Sequence, residues 1–528
     1  MTLVRDMTEW YENHKKQLYA ALAAAFFWGL FAHGFAFSGI NFSHDSLYEF
    51  HAEMAGNRIK MGFGRVLTPI YRELLGSDVT LPWLTGVLAL LWIGLAVFLI
   101  VRIFRVNSGI LTFLIAGICV TNISVSSVTA TYIHDLDSYM FSMLCAVAAV
   151  YLWRCCSRWW LFGSCFIAAS LGIYQNYIFV AVAMAMFACI FDLLEEQTFR
   201  QVFFNGLKAI GMILLGGCLY FLMMKLMLTL DGSDLFRGEY NSLDKVEGLA
   251  AVNIVNLICN TYTDFFSRLL NSYSSYPSIL VKGLTGILVG VGAVALLLGL
   301  LNRRIRLPEK ILCILLVALL PVGMHMIYIL MIGEVHDLMT YPMWMSYIFL
   351  LLLSDWLFRK YGVTASPRQE KSMHFQKAVC LIAMFAILYG NVRFSNGMYM
   401  KKALEHEAYM SLMTRVVSRV EEMEEYVPGE TEVVLVGLPE NINSVMPGFK
   451  DYWNVTGMTS PDMIYQGTRD RFQMYFDYMM GLPVSLAENP LWGEISARED
   501  VKAMPSYPAA GFLKMVDDVL VIKLGHMD

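Results

Sequence analysis

The sequence predicts an α-helical polytopic membrane protein of about eleven transmembrane helices with a small extracytoplasmic α/β domain at its C-terminal end. Three observations lead there. Hydrophobic residues make up 57 % of the chain and charged residues only 16 %, a balance foreign to soluble domains. Apolar runs long enough to cross a bilayer, roughly 18 residues or more, recur along its length. The basic residues crowd into alternate connections, as the positive-inside rule requires of a multi-spanning chain.

Taken in order, the first sixteen residues carry Arg5, Lys15 and Lys16 beside Trp10 and Tyr11, the mixture of a short interfacial helix. The apolar run at 17–40 follows. It is too long for the hydrophobic region of a cleavable signal and lacks a small-residue cleavage site, so it reads as the first span. Further spans are expected at 81–104, 108–129, 137–153, 159–174, 177–194, 207–230, 278–301, 310–332, 338–357 and 375–391.

Orientation follows from the connections. With the N-terminus in the cytoplasm, the inner loops hold Arg102 and Arg105, Arg154 and Arg158, Arg200, Arg303, Arg304 and Arg306, and Arg359, Lys360, Arg368 and Lys371. The short connections at 132–137, 175–176 and 334–337 hold no Lys or Arg. N-in, C-out in the cytoplasmic membrane is therefore expected. Residues 1–392 form the transmembrane domain in this reading, with long outer loops at 41–80 and 231–277. The second of these contains VEGLAAVNIVNLICNTYTDFFSRLL, whose apolar spacing suits an amphipathic helix on the membrane surface. Residues 393–528 form the extracytoplasmic domain, with a charged helix at 405–426 and strands in TEVVLVGL and VDDVLVIKL.

Several functions are excluded. A net charge of -5 with scattered basic residues offers no nucleic-acid surface. Nine of the ten cysteines fall in or beside apolar runs, Cys259 being the exception, and no disulfide framework is visible. No G-x-x-x-x-G-K-[ST], G-x-S-x-G or C-x-x-C pattern occurs.

The chemistry concentrates after the first span. Residues 43–76 pack Asp45, Glu49, His51, Glu53, Arg58, Lys60, Arg65 and Arg72 into one segment, and charge beside a membrane edge marks a site when it lines a cavity. The other outer span ends add His134, Asp135 and Asp137, and then Glu334, His336 and Asp337. Asp45 suits a general base that draws the proton from an attacking hydroxyl. S-H-D-S equally fits a helix N-cap in which Asp45 or Ser46 holds backbone amides. Arg58 and Arg65 suit a lipid phosphate, since guanidinium matches phosphate oxygens two at a time, or they snorkel to headgroups. The carboxylates of Asp135 and Asp137, with His134, can share Mg²⁺ or Mn²⁺; the same D-x-D also fits a capped, solvated loop. Glu49, Tyr174, Gln175, Asn176, His336 and Asp337 are candidate sugar or acceptor contacts, with an aromatic belt and a polar turn as the plainer readings of the last five.

The segments SHDSL, the GR of Gly64 and Arg65 before TPIYRELLG, HDLDSYMF, SLGIYQNY and YPAAGFLKMVDDVLVIKL together resemble the serotype-converting, O-antigen-type glucosyltransferases over nearly the whole chain. That resemblance implies a GT-C fold whose first outer loop carries the catalytic acid, here Asp45. It further implies an undecaprenyl-phosphate glucose donor, a cell-surface glycan acceptor such as O-antigen, lipopolysaccharide or teichoic acid, and inversion at the anomeric carbon. Asp135 and Asp137 resemble the second acidic motif that some such enzymes use for metal, and the tail is accessory. Two other classes compete. A transporter or lipid-linked sugar flippase would carry ionisable groups near the midplane and an inverted repeat, whereas here the acids collect at one surface and no repeat is visible. A non-catalytic scaffold presenting the tail would need no outer-loop acids.

Overall fold

A computed structural model describes residues 2–39, 43, 46–47, 57–76, 79–156, 158–238, 243, 245, 248–249, 252–271, 277–362, 367–438, 455 and 469–525. Its helices begin with α1 (Thr2–Ser38), α2 (Asn57–Gly62), α3 (Thr68–Leu74), α4 (Pro82–Ile103), α5 (Gly109–Thr121), α6 (Ile123–Thr131), α7 (Leu136–Cys155) and α8 (Gly163–Ile173). They continue with α9 (Ile178–Leu194), α10 (Phe199–Asp231), α11 (Ile254–Leu270), α12 (Ser278–Leu301), α13 (Leu307–Met324), α14 (Met326–Leu330), α15 (Tyr341–Gly362) and α16 (Pro367–Glu421). Among the described residues nine helices are long and apolar enough to cross a membrane, or ten if α5 and α6 form one broken span.

That break has a local cause. Asn122 accepts from Val125 N at 3.2 Å to cap α6, while its amide donates to Ile118 O at 2.9 Å at the end of α5, so one side chain closes one helix, opens the next and sets a 42° bend. The segment expected to cross at 159–174 is an apolar helical stretch, Trp160–Ile173, about 21 Å long at 1.5 Å per residue, against about 30 Å of hydrocarbon. The N-terminal sixteen residues do not make a separate interfacial helix. They run continuously into the first span as α1, with Trp10 edge-on to Phe98 of α4 at 5.8 Å.

The outer segment expected to be amphipathic is α11. Asn253 caps it through Val255 N and Asn256 N, and Leu257, Thr261, Phe265 and Leu269 form its buried stripe at intervals of four. The helix that holds the last expected span does not stop near residue 391: α16 is 55 residues long in all, about 80 Å. Beyond it lie four strands, β1 (Glu432–Val436), β2 (Ser485–Leu486), β3 (Leu513–Val516) and β4 (Val519–Lys523), in the order β2-β1-β4-β3. β1 is parallel to β2 and β4, and β3 is antiparallel to β4. VDDVLVIKL is not one strand, because Asp517 and Asp518 take φ of 48° and 64° and form the two-residue turn of a hairpin. Alternation divides β1 between two cores: Val434 and Val436 face Ile495 and Val501, while Val433 and Leu435 join the large core that includes Tyr409 and Met413 of α16.

Candidate active site

Four helices, α4, α7, α9 and α15, begin at the same end of the bundle, and the described part of the connection between α1 and α4, with α2 and α3, packs at that end. The amide ends of these helices present partial positive charge there. Helix α2 ends in a tight turn in which Arg65 N bonds Lys60 O at 2.9 Å and Gly64 takes φ 74°. Only glycine fits. A Cβ at Gly64 would lie 2.6 Å from the Tyr220 hydroxyl, which donates to Gly64 O at 3.0 Å. Gln175 Nε2 holds the same turn through Phe63 O at 2.9 Å.

The turn aims Arg65 into an aromatic cradle. Its guanidinium lies 4.8 Å from the Tyr174 ring centre, 5.6 Å from Phe63 and 5.8 Å from Tyr139, and Nη1 donates to the Tyr139 hydroxyl at 2.8 Å. Tyr139 and Tyr174 stack at 4.3 Å. Arg65 Nε is buried without a hydrogen-bond partner, so the group retains a donor for an oxyanion.

Beside it is a buried ionic cluster. Asp135, wholly inaccessible, accepts from Arg72 Nη2 at 2.7 Å on Oδ1 and from Lys60 Nζ on Oδ2, and His134 Nε2 lies 3.5 Å from Oδ2. Asp137 accepts from the Tyr71 hydroxyl at 3.0 Å and from Ser138 N at 2.8 Å. Tyr71 also accepts from Trp92 Nε1 at 2.9 Å; burial first, and then the Asp137 charge, raise its pKa well above the usual phenol range. Short helices α2 and α3 thus hang from α7 through two carboxylates.

The D-x-D pair does not fit the divalent cation expected of it. Arg72 and Lys60 occupy both oxygens of Asp135, Tyr71 and the backbone occupy those of Asp137, and no group of three His, Cys, Asp or Glu side chains able to hold a metal forms among the described residues.

Asp45 and Glu49 lie outside the described residues, as does the side chain of Arg58 on α2. Their surroundings are described in part. Ser43 Oγ accepts from Ser46 N at 3.1 Å, so Ser43 supplies the cap at this turn. Ser46 Oγ donates to Thr131 O at 3.1 Å and lies 3.4 Å from His134 Nδ1. Gln175 and Asn176 serve the scaffold, Asn176 Nδ2 reaching Met339 O at 2.8 Å. Asp337 is buried and paired with Arg268 Nη1 at 2.9 Å, and Arg268 also binds Asp264 at 2.7 Å. Burial lowers the pKa of half-buried His336. Sequence reasoning missed Tyr71, Tyr139, Arg268 and His325, and it left Lys60 and Arg72 without roles. The i, i+4 spacing of Asp135 with Tyr139 and of Asp264 with Arg268 was the available signal.

The fold and this cluster define a multi-pass helical membrane protein with cations and acids gathered where the connection between α1 and α4 meets the bundle. Residues 34–353, more than half of the chain, match the family Glucosyl transferase GtrII. The chain belongs to that family, a family of membrane glycosyltransferases. No curated protein and no solved structure matched the chain.

Proposed function

We propose that the protein transfers a hexose, glucose by its family, from an undecaprenyl-phosphate sugar to a cell-envelope glycan on the outer face of the cytoplasmic membrane. The orientation is N-in and C-out, residues 1–392 hold the reaction, and the strands beyond residue 393 belong to an accessory extracytoplasmic domain. One observation carries this reading: Lys60, Arg65 and Arg72 meet at the end of the bundle where four helices begin, beside the segment that contains Asp45. A phosphorylated lipid finds there fixed cations and helix amide ends in a water-poor wall, where such charge acts most strongly.

In the reaction the acceptor oxygen bonds to the anomeric carbon from the face opposite the phosphate, the bond from that carbon to the phosphate oxygen breaks, and the configuration inverts. Asp45 takes the hydroxyl proton. Arg65, with Arg58, receives the phosphate charge as the polyprenyl phosphate departs. Asp135 and Asp137 hold Lys60, Arg72 and Tyr71 and thereby fix the loop; no step passes through a metal.

Asp45→Asn should leave the protein inserted and folded while abolishing transfer of labelled glucose from polyprenyl-phosphate glucose to acceptor glycan in membrane vesicles. Turnover at the parental rate would remove Asp45 from the mechanism. Arg65→Lys keeps the charge but loses the planar fork, so KM for the donor should rise about tenfold, the equivalent of one charge-assisted hydrogen bond; an unchanged KM would count against the phosphate role.

A further inference from the structure

At the opposite end of the bundle, α4, α7, α9 and α15 close around a cavity of about 250 Å³. Its floor is apolar, including Phe104, Leu352 and Trp356, and its rim carries Arg105, Arg154 and Arg359 against Asp192 and Glu195. Arg154 is committed to Asp192 through both terminal guanidinium nitrogens, Nη1 at 2.6 Å. Arg359 spends Nε on Asp355 at 2.9 Å. Arg105 is exposed and pairs with no carboxylate among the described residues.

Two independent features show that this cavity is built rather than left over. Trp356 lines the cavity and is 1 % exposed, and its indole N–H has no acceptor among the described residues, a donor whose desolvation is uncompensated until an acceptor arrives. Arg105 adopts φ 53° at the turn that ends α4, where Val106 N bonds Val101 O at 2.9 Å. Glycine is the usual occupant of that position, and side chains at left-handed positions of this kind cluster at functional sites. At the matching turn after α9, Glu196 has φ 69°, but Glu196 is accounted for by Asn302 and Lys360.

We propose that this cavity binds the phosphodiester headgroup of an anionic membrane phospholipid. The phosphate oxygens accept from Arg105, from the remaining guanidinium nitrogens of Arg359 and from the Trp356 indole, and the acyl chains leave along the apolar side past Phe104 and Leu352. Asp192 and Asp355 answer Arg154 and Arg359, and the charge of Arg105 is the one offered to a singly charged phosphodiester. The partial negative charge of the four helix C-termini opposes an anion, and bidentate, charge-assisted contacts from guanidinium overcome it. The site shares no residue with the transfer site, so it stands or falls separately from the proposed glycosyl transfer.

The test uses the full-length protein purified in a neutral detergent and titrated with short-chain phosphatidylglycerol while its thermal midpoint is followed. The midpoint should rise saturably. Arg105→Gly should leave the unliganded midpoint unchanged or higher, because glycine suits the turn. Combined with Arg359→Gln, it should raise the half-saturating lipid concentration about tenfold or more, as loss of charge-assisted bonds requires. Equal half-saturation in the parent and the double variant would overturn the site. An equal response to short-chain phosphatidylcholine would overturn the preference for an anionic headgroup, and an equal response to inorganic phosphate alone would overturn the lipid as its source.

Discussion

Replacing Asp135 by Asn keeps the shape of the side chain and removes its charge, leaving two cations buried against α7. The side chains of Lys60 and Arg72 are only 7 % and 5 % exposed and that of Asp135 is fully covered, so water cannot substitute for the lost counter-ion. Breaking one partner out of a buried ionic cluster costs about 3–5 kcal/mol, and here the carboxylate lost contacts two cations. Asp135→Asn should therefore lose about that much, read as a fall in thermal midpoint and as protease sensitivity within residues 57–76. Stability alone does not separate scaffold from function, and the compensated variant Lys60→Met/Arg72→Met/Asp135→Leu does. Exchanging a whole buried ionic cluster for apolar groups of similar size is often neutral or stabilising, so the triple variant should fold with a near-parental midpoint yet fail to transfer glucose. An Asp135→Asn protein within about 1 kcal/mol of the parent would refute the electrostatic reasoning. A triple variant that transfers at the parental rate would refute a functional role for these cations.

Two further outcomes follow from geometry. Gly64→Ala places a Cβ 2.6 Å from the Tyr220 hydroxyl at φ 74°, a left-handed position that disfavours L-residues by about 1–2 kcal/mol before any clash; its midpoint should fall and its donor KM rise, since Arg65 is the next residue, and normal values of both would show that the turn can shift freely. His325 is buried and its Nε2 lies 2.7 Å from Asp264 of α11, so it ties that helix to the end of α13. His325→Leu leaves the Asp264 carboxylate without this partner and should lower stability by about 1–3 kcal/mol, read as a fall in thermal midpoint; an unchanged midpoint would show that the contact does not hold α11.

The sequence makes the bundle legible wherever hydrophobic length decides. The run at 81–104 became Pro82–Ile103, that at 177–194 became Ile178–Leu194, and that at 278–301 became Ser278–Leu301, because an apolar run of span length has few alternatives. Hydropathy does not report helix continuity. Polar residues propagate a helix as well as apolar ones do, which is why the start of α1 and the middle of α16 were divided in the sequence reading and are whole in the fold. The hairpin at Asp517 and Asp518 was illegible for another reason: two aspartates in the left-handed region lack the usual Asn-Gly or Asp-Gly signature. At the candidate site, charge density pointed to the 43–76 segment, and Arg65, His134, Asp135 and Asp137 lie near one another in the fold. Which cation turns toward Asp135 depends on how α2 and α3 lie against α7, a tertiary fact with no local spacing to announce it.

The continuity of α16 bears on where the membrane domain ends. A boundary at 392 cuts a helix whose next residues are tied to the bundle: Ser395 Oγ lies 2.6 Å from Ser126 Oγ, Asn396 Nδ2 donates to Phe31 O at 3.1 Å, and the Tyr399 hydroxyl is 2.7 Å from His33 Nδ1. His33 and Tyr399 are buried, so truncation after Val392 leaves that imidazole nitrogen unpaired at about 1–3 kcal/mol, besides the packing lost along α1 and α6. A chain ending after Glu407 keeps all three contacts and gives up contacts to the region beyond α16, such as Tyr409 against Tyr475 at 5.4 Å. The longer truncate should therefore purify as a monodisperse species with a midpoint several degrees above that of the shorter one. Equal midpoints would restore the boundary at 392. If the longer truncate also retains transfer, the strands are dispensable for catalysis; if it is stable and inactive, the removed region contributes to the reaction itself, because folding has by then been excluded as the cause.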